Sequence, residues 1–320
     1  MADDIFFYNL KFEMLHILPA YADGEGYSSI TATLDLVDNG SFEIVLKCEE
    51  LKDKLTANRD GVIVIWRDFQ GYMTSFRITD SEVHLFGVSL NGLLHRIVIP
   101  SLTESNRNVE SAARSAISTN APWITLGESV SISVNKTYGT DAYMCADEFL
   151  KQLFDGTNCG FELRADIKAK KYIFECISPL NNALMLSKNN LNAYDFVHEY
   201  SNQNVAFGGW YKKEQSSGDG VWTYIKLDGN GAGINKIDTV LSSTSDADAK
   251  NELKELASQY TVTAATKDVY HGIDYSLGDI LRVQDGGITT KKQVTGIEMW
   301  QEQEYGEKPV LSDYGEESQQ

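Results

Sequence analysis

Asp274-Tyr275-Ser276-Leu277-Gly278-Asp279 runs directly into Ile280-Leu281-Arg282-Val283, and this corner followed by a strand sets the reading of the whole chain. Gly278 lets the backbone bend where a side chain would be strained. Asp279 is placed to accept hydrogen bonds from nearby amides as an Asx-type turn. Ile280, Leu281 and Val283 then supply an apolar run suited to burial. The device is structural and carries no group arranged for catalysis.

Working outward from it, the C-terminal third reads as β structure. Strands are predicted at Asn204–Lys212, Val221–Leu227, Val269–Ile273, Asp279–Gln284 and Lys291–Met299. One helix interrupts them, with Ser245 and Asp248 as a capping box and Leu253, Leu256, Ala257 and Tyr260 on its inner face. Gln301 to Gln320 holds six acidic residues against one Lys and is expected to fray.

The first hundred residues alternate with period two. Leu10, Phe12 and Met14 share one face; so do Ile30, Ala32, Leu34 and Leu36, and Phe42, Ile44 and Leu46. Asp38-Asn39-Gly40-Ser41 reads as the hairpin turn between the last two runs. Further strands are predicted at Val62–Arg67, Tyr72–Thr79 and Glu82–Val88.

The period then changes. Val109, Ala112, Ala113, Ala116 and Ile117 recur at helical spacing. So do Ala142, Cys145, Ala146, Phe149, Leu150 and Leu153, with Thr140 or Asp141 as N-cap and Gly156 as the stop. Strands at Phe161–Ile167 and Lys171–Ile177 follow across a Lys-rich turn. The expected class is therefore α+β, mostly β. Two β-barrel-like domains, residues 1–102 and 203–300, are separated by a small α+β domain, 103–202, and followed by an acidic tail, 301–320.

The 320 residues suffice for two or three domains and a sizeable core. The 16 Tyr, 13 Phe and 5 Trp suit strands and large interfaces. A formal net charge of −18 argues against gripping free nucleic acid, which needs clustered Lys and Arg. The start Met1-Ala2-Asp3-Asp4-Ile5 shows neither the basic segment nor the cleavage site of a signal peptide, and no apolar run is long enough for a membrane helix. Cys48, Cys145, Cys159 and Cys176 form no Cys-x-x-Cys pair, so they read as buried thiols of a reducing compartment rather than zinc ligands.

Each candidate for chemistry has a plainer explanation. Gly87-Val88-Ser89-Leu90-Asn91-Gly92 approaches a nucleophile elbow, but its second Gly falls one residue late. Ser89 reads instead as the N-cap of a helix carrying Leu90, Leu93 and Leu94. Asp228-Gly229-Asn230-Gly231-Ala232-Gly233 resembles the start of a calcium loop, yet Ala232 and Thr239 stand where oxygen ligands are required, leaving a Gly-rich hairpin loop. His16, His84, His95, His198 and His271 show no ligand spacing. The adjacent pairs Asp3-Asp4, Glu49-Glu50 and Glu316-Glu317 look like solvated charge. Trp66, Trp210, Trp222 and Trp300 lie in or beside strands and serve either packing or a sugar-stacking face. No catalytic, metal or cofactor-binding residue is expected, and the chain is not expected to be an enzyme.

Four segments carry a resemblance to a known family: Gly61-Val62-Ile63-Val64-Ile65-Trp66-Arg67, Gly87-Val88-Ser89-Leu90-Asn91-Gly92-Leu93-Leu94-His95-Arg96, Asn204-Val205-Ala206-Phe207-Gly208-Gly209 and Asp274-Tyr275-Ser276-Leu277-Gly278-Asp279. In order and spacing the chain resembles the baseplate hub family of tailed phages, the Gp37-like prophage tail proteins. The resemblance implies a homotrimer in which each chain supplies two related barrels as tube domains, so that six barrels match a six-fold tail tube on one face and a three-fold spike on the other. It implies as partners the tail tube or distal tail protein, a spike, tip or fibre protein, and the tape measure protein. Synthesis in a bacterial cytoplasm and residence in the tail baseplate of a phage or tail-like bacteriocin follow. An acidic bore lets DNA pass without specific binding, since like charges repel. The rival readings are a carbohydrate-binding adhesin of the same particle, using Trp210 and Trp222, and a hydrolase using Ser89.

Overall fold

The computed structural model describes residues 3–19, 26–47, 49–58, 61–79, 82–140, 142–191, 197–200, 206–214, 222–227, 236–256, 260–263, 265–285, 288–302 and 304–314. The chain divides into two compact units: Met1–Phe196 with Ala264–Gln320, and Val197–Thr263. The α+β, mostly β class holds.

The first unit is built on an eleven-stranded sheet. Its path runs Leu180–Leu186, Asp279–Asp285, Ile288–Gln301, Tyr27–Asp35, Ser41–Leu46, Val83–Ser89, Phe69–Ile78, Val62–Trp66, Ile5–Asn9 and Met14–Leu18, with Tyr305–Asp313 paired onto Ile288–Gln301. Strands from both predicted β regions thus share one sheet. The junction is antiparallel, with Ile297 opposite Leu34 and Met299 opposite Ala32. No sheet among the described residues closes into a barrel, so the two separate barrels of the sequence reading are not seen. Alternation states that a strand has a buried face; it does not name the neighbour that covers the strand's edges.

Local features correct several expectations. Leu10–Glu13 is a turn, not part of a strand. The Asn9 carboxamide oxygen accepts from the amides of Lys11 and Glu13, each at 2.9 Å, and Phe12 adopts φ 64°. Val269–Ile273 is likewise a turn: the Asp274 carboxylate accepts from the Tyr270 amide at 2.8 Å, Gly272 has φ 76°, and only an isolated bridge joins His271 to Tyr275. Tyr305–Asp313, within the stretch expected to fray, is a strand. It is secured by a long antiparallel ladder and by burial of Glu307, Leu311 and the face between them. Residues 315–320, with Glu316 and Glu317, lie outside the described residues, as do Cys48, Asp141 and the Gly-rich segment 228–235.

Helix α1, Glu49–Ala57, falls in the first β region, where only strands were expected. In the middle of the chain the two expected helices are present, α2 at Val109–Asn120 and α3 at Ala146–Phe154, together with a strand pair, Leu102–Asn108 with Asn135–Thr140, that was not expected. Asn108 caps α2 by accepting from the Ser111 amide at 2.9 Å. Helix α3 begins four residues later than Ala142, with Cys145 as its N-cap in extended backbone, because Met144–Cys145 is drawn into a short ladder with Val98–Ile99. Val109, Ala113 and Ile117 of α2, and Phe149, Leu150, Leu153 and Phe154 of α3, are buried with Phe161, Leu163 and Phe174 of the adjoining strands. Each such large side chain contributes about 1.5–3 kcal/mol of burial.

One polar feature of that module has a measurable consequence. In the hairpin Gly160–Asp166 with Lys171–Ile177, Glu162 stands directly opposite Glu175. Burial, and then the charge of Glu175, push the Glu162 carboxyl up to about 6, while Arg164, bonded to Glu175 at 2.7 and 2.9 Å, only partly offsets them. A carboxyl whose folded-state value lies above its ordinary 4.5 destabilises the fold once ionised. Stability from this group therefore falls as pH rises from about 4.5 to about 6 and stays lowered above. Glu162→Gln is expected to raise the urea midpoint at pH 7 by the equivalent of about 1 kcal/mol, allowing for solvent screening of this partly buried side chain. An unchanged pH profile of the urea midpoint would contradict the repulsion.

The second unit holds a three-stranded sheet in the order Trp222–Leu227, Ala206–Glu214, Lys236–Val240, a two-stranded ladder of Val197–Tyr200 with Tyr260–Thr263, and helix α4, Asp246–Leu256. The expected pair meets in half of a capping box: the Ser245 hydroxyl accepts from the Asp248 amide at 3.2 Å, and it is this hydroxyl that donates to the Asp248 carboxylate, at 2.6 Å. Ala249 and Leu253 of α4 pack with Tyr211, Leu227 and Leu241. Tyr260, expected on the helix, stands in a strand; Ala257 and the side chain of Leu256 lie outside the described residues.

Candidate functional site

The opening motif forms its corner as expected. Gly278 has φ 90°, donates its amide to Val294 O at 2.8 Å, and leads into buried Ile280, Leu281 and Val283. The Asp279 carboxylate accepts from the Ser276 amide at 3.0 Å and from the Asn182 carboxamide at 2.7 Å, joining the turn to strand Leu180–Leu186. Tyr275 points the other way, into the sheet. Its hydroxyl donates to Glu307 at 2.6 Å, the His271 amide donates to the same carboxylate at 2.7 Å, and the Tyr305 hydroxyl donates to its second oxygen. Glu307 is 1% exposed.

Burial, then the neighbouring Glu307 charge, push the Tyr275 hydroxyl far above its ordinary range; burial and the hydrogen bond to Glu307 do the same for Tyr305. Burial lowers the His271 imidazole, against the pull of Asp68 and Glu307. Arg67 lies 3.8 Å from the Tyr305 ring centroid and pairs at 2.6 Å with Asp3, whose carboxylate stays partly in solvent. Trp66 is fully buried, edge-on to Tyr305. The Tyr275 and Tyr305 hydroxyls therefore stay protonated across the neutral range and serve as the donors that hold the corner against the sheet.

The second unit presents a different surface. Helix α4 covers the face of the sheet that carries Tyr211. On the opposite face, Trp210 stands opposite Lys226, and Lys212 opposite Tyr224. Trp222 and Tyr224 are 43% and 56% exposed, Val240 is 70% exposed, and Trp210 is 37% exposed. Lys212 stacks over Trp222 at 5.0 Å and Lys226 over Trp210 at 5.4 Å. The flat array of rings and ammonium groups is a surface suited to contact.

The other sequence candidates resolve individually. Ser89 is the N-cap of a 3-10 helix, Leu90–Arg96, but makes no side-chain cap bond. It is 4% exposed, and its Oγ accepts from the Gly40 amide at 3.2 Å, joining the helix entry to the hairpin turn. His84 lies 3.5 Å from Glu43 and 3.6 Å from Glu82. His16 approaches Lys54 at 3.5 Å. The side chains of His198, Glu49 and Glu50 lie outside the described residues. Trp300 is partly buried, packed where Gly306 leaves room. Cys159 and Cys176 are buried, their thiols pushed up to about 11 and about 12 by that burial.

Sequence reading passes over one constellation. His95 Nδ1 lies 3.1 Å from Asp147 and the other ring nitrogen 3.9 Å from Cys145 Sγ. The order Cys–His–Asp matches a nucleophilic triad in outline, but burial, then Glu148 and Asp147, push the Cys145 thiol up rather than down, opposite to what a thiolate nucleophile requires. No sequence spacing signals this cluster, since its members come from separate elements.

No protein-family model matches the sequence, and no curated protein matches it. The fold, however, is shared over its whole length with solved tail proteins. The chain is similar to the tail protein from Neisseria meningitidis MC58, at 14% identity and a TM-score of 0.58, covering 98% of each chain. Prophage tail protein gp18 from Listeria monocytogenes EGD-e aligns at 11% identity and a TM-score of 0.58, over 98% of this chain and 95% of that one. A chain of the Francisella PdpA–VgrG complex aligns at 11% identity and a TM-score of 0.51, over 97% of this chain and 52% of that one. The chain therefore has the fold of these tail proteins.

Proposed function

We propose that the protein is a structural component of a phage tail or tail-like particle, acting as a baseplate hub that joins a six-fold tail tube to a three-fold spike or tip. The observation that carries this reading is the end-to-end likeness, 98% of both chains, to a tail protein. A partial match through an added domain would leave the role open; a match of whole chains at this length supports a shared place in an assembly. The likeness to a chain of a PdpA–VgrG complex supports a role in binding other proteins.

In this reading three copies form a ring, neighbouring the tube or distal tail protein on one side, a spike, tip or fibre protein on the other, and the tape measure protein within. The formal charge of −18 per chain is tripled in the ring and lets DNA slide through the lumen without being held. No catalytic step is required of the chain. Multi-angle light scattering of the purified protein, alone and with its tube protein, is expected to give the mass of a trimer. A stable monomer at all concentrations, with tube protein present, would overturn the proposal.

The exposed rings of Trp210, Trp222 and Tyr224 favour a second reading, a carbohydrate-recognition role in the same particle. Under that reading, binding to host cell-wall polysaccharide is lost on Trp222→Ala while the trimer persists. Under the hub reading alone, the wild-type chain shows no polysaccharide binding.

A further inference from the structure

His95 and Cys145, 50 residues apart in sequence, meet through their reactive atoms, with Cys145 Sγ 3.9 Å from His95 Nε2. On the far side of the ring, Nδ1 lies 3.1 and 3.2 Å from the two Asp147 oxygens. Asp147 is itself held by the Asn39 carboxamide, which donates to it at 3.1 Å. The backbone fixes the arrangement from both sides. His95 sits in the last turn of the 3-10 helix Leu90–Arg96, and the Val98–Ile99 strand that follows pairs with Met144–Cys145. The Ala146 amide then donates to Ile97 O at 2.8 Å. The His95 side chain is 61% exposed, so the nitrogen and sulfur can be reached from solvent.

A carboxylate on Nδ1 keeps the imidazole proton there and leaves the Nε2 lone pair directed toward the sulfur. This is the carboxylate–histidine pair that orients metal-binding imidazoles. In a tetrahedral zinc site, with Zn–N about 2.0–2.1 Å and Zn–S about 2.3 Å, the two ligand atoms stand about 3.6 Å apart. The observed separation requires a shift of only a few tenths of an ångström. An ion of this kind deprotonates the thiol it coordinates, so the surroundings that disfavour a free thiolate do not bar the site; thiolate and imidazole together then select borderline-soft ions over magnesium or calcium.

We propose that His95 Nε2 and Cys145 Sγ bind a zinc-class divalent ion, with Asp147 orienting His95 from behind and water filling the remaining positions. The ion ties the end of the 3-10 helix to the start of α3. The inference is independent of the hub reading and needs no partner chain.

Cobalt(II) titration of the reduced full-length protein tests it. One equivalent is expected to bind, giving the thiolate-to-cobalt charge-transfer band and the intense d–d bands of a tetrahedral ion, both displaced by Zn²⁺. Cys145→Ser is expected to abolish the charge-transfer band, and His95→Ala to weaken binding at least about tenfold. Asp147→Asn keeps both ligands and is expected to retain the band with affinity reduced about 10–100-fold. Cys48→Ser is expected to change nothing. A band that survives Cys145→Ser, or the absence of any band at excess cobalt, overturns the proposal. Should Cys145→Ser fail to fold by circular dichroism, alkylation of Cys145 in the unaltered chain decides the matter: Zn²⁺ is expected to slow it at least tenfold, and an unchanged rate refutes the site.

Discussion

Glu307→Ala is expected to lower the unfolding free energy by about 3–5 kcal/mol, the range for breaking a buried charged hydrogen-bond network from one side. The carboxylate is 1% exposed and accepts from the hydroxyls of Tyr275 and Tyr305 and the amide of His271. Removing it strands three donors in a water-excluded space, and each then costs its desolvation without compensation. Tyr275→Phe removes a donor instead and leaves Glu307 two partners, so about 1–2 kcal/mol is expected. Glu307→Gln is expected to fall between the two. Urea denaturation followed by tryptophan fluorescence, with an unchanged m-value, measures all three. A loss below about 1 kcal/mol for Glu307→Ala would mean that water replaces the carboxylate and that the cluster does not anchor the C-terminal strand.

Gly278→Ala is expected to cost about 2–4 kcal/mol, from two separable sources. The first is conformational: at φ 90° an L side chain is strained by about 1–3 kcal/mol. The second is steric, since a Cβ here would stand 2.5 Å from Ile177 Cγ2. The double variant Gly278→Ala/Ile177→Ala separates them. Shortening Ile177 removes the clash but not the strain, so the two substitutions together are expected to cost less than the sum of each alone. Strict additivity would assign the whole effect to backbone conformation. A cost near zero for Gly278→Ala would show that the corner relaxes, and the motif would lose its place as the feature that sets the strand Asp279–Asp285.

Much of the local structure is legible in the residues because it depends on neighbours a few positions away. The Asp279 turn, the Ser245–Asp248 cap, the Asp38–Ser41 hairpin and the strand Lys171–Ile177 all follow from such short-range chemistry. Where local reading failed, a side chain redirected the backbone. Asn9 folds the segment after it into a turn although Leu10, Phe12 and Met14 alternate correctly for a strand. The acidic composition of the last twenty residues suggested fraying, but Glu307 is a buried acceptor and the strand around it is paired along its length. Composition treats every carboxylate as solvated, and only its surroundings reveal one that is not. The Trp-bearing face was half legible: Trp210 and Trp222 stood out, while the neighbouring Tyr224 and the stacked lysines depend on the register between two strands.

By itself the sequence determined where the chain bends, which faces of its strands are apolar, and that no spaced motif for catalysis is present. The tertiary structure alone decided that Tyr27–Asp35 pairs with Ile288–Gln301 from the far end of the chain, and that His95, Cys145 and Asp147 come together. The reason is physical. A turn or a cap is an interaction between residues already close along the backbone, so its energy is written locally. A strand's hydrogen-bonding edge is the same for any partner, and the partner is chosen by the packing of all the buried faces at once.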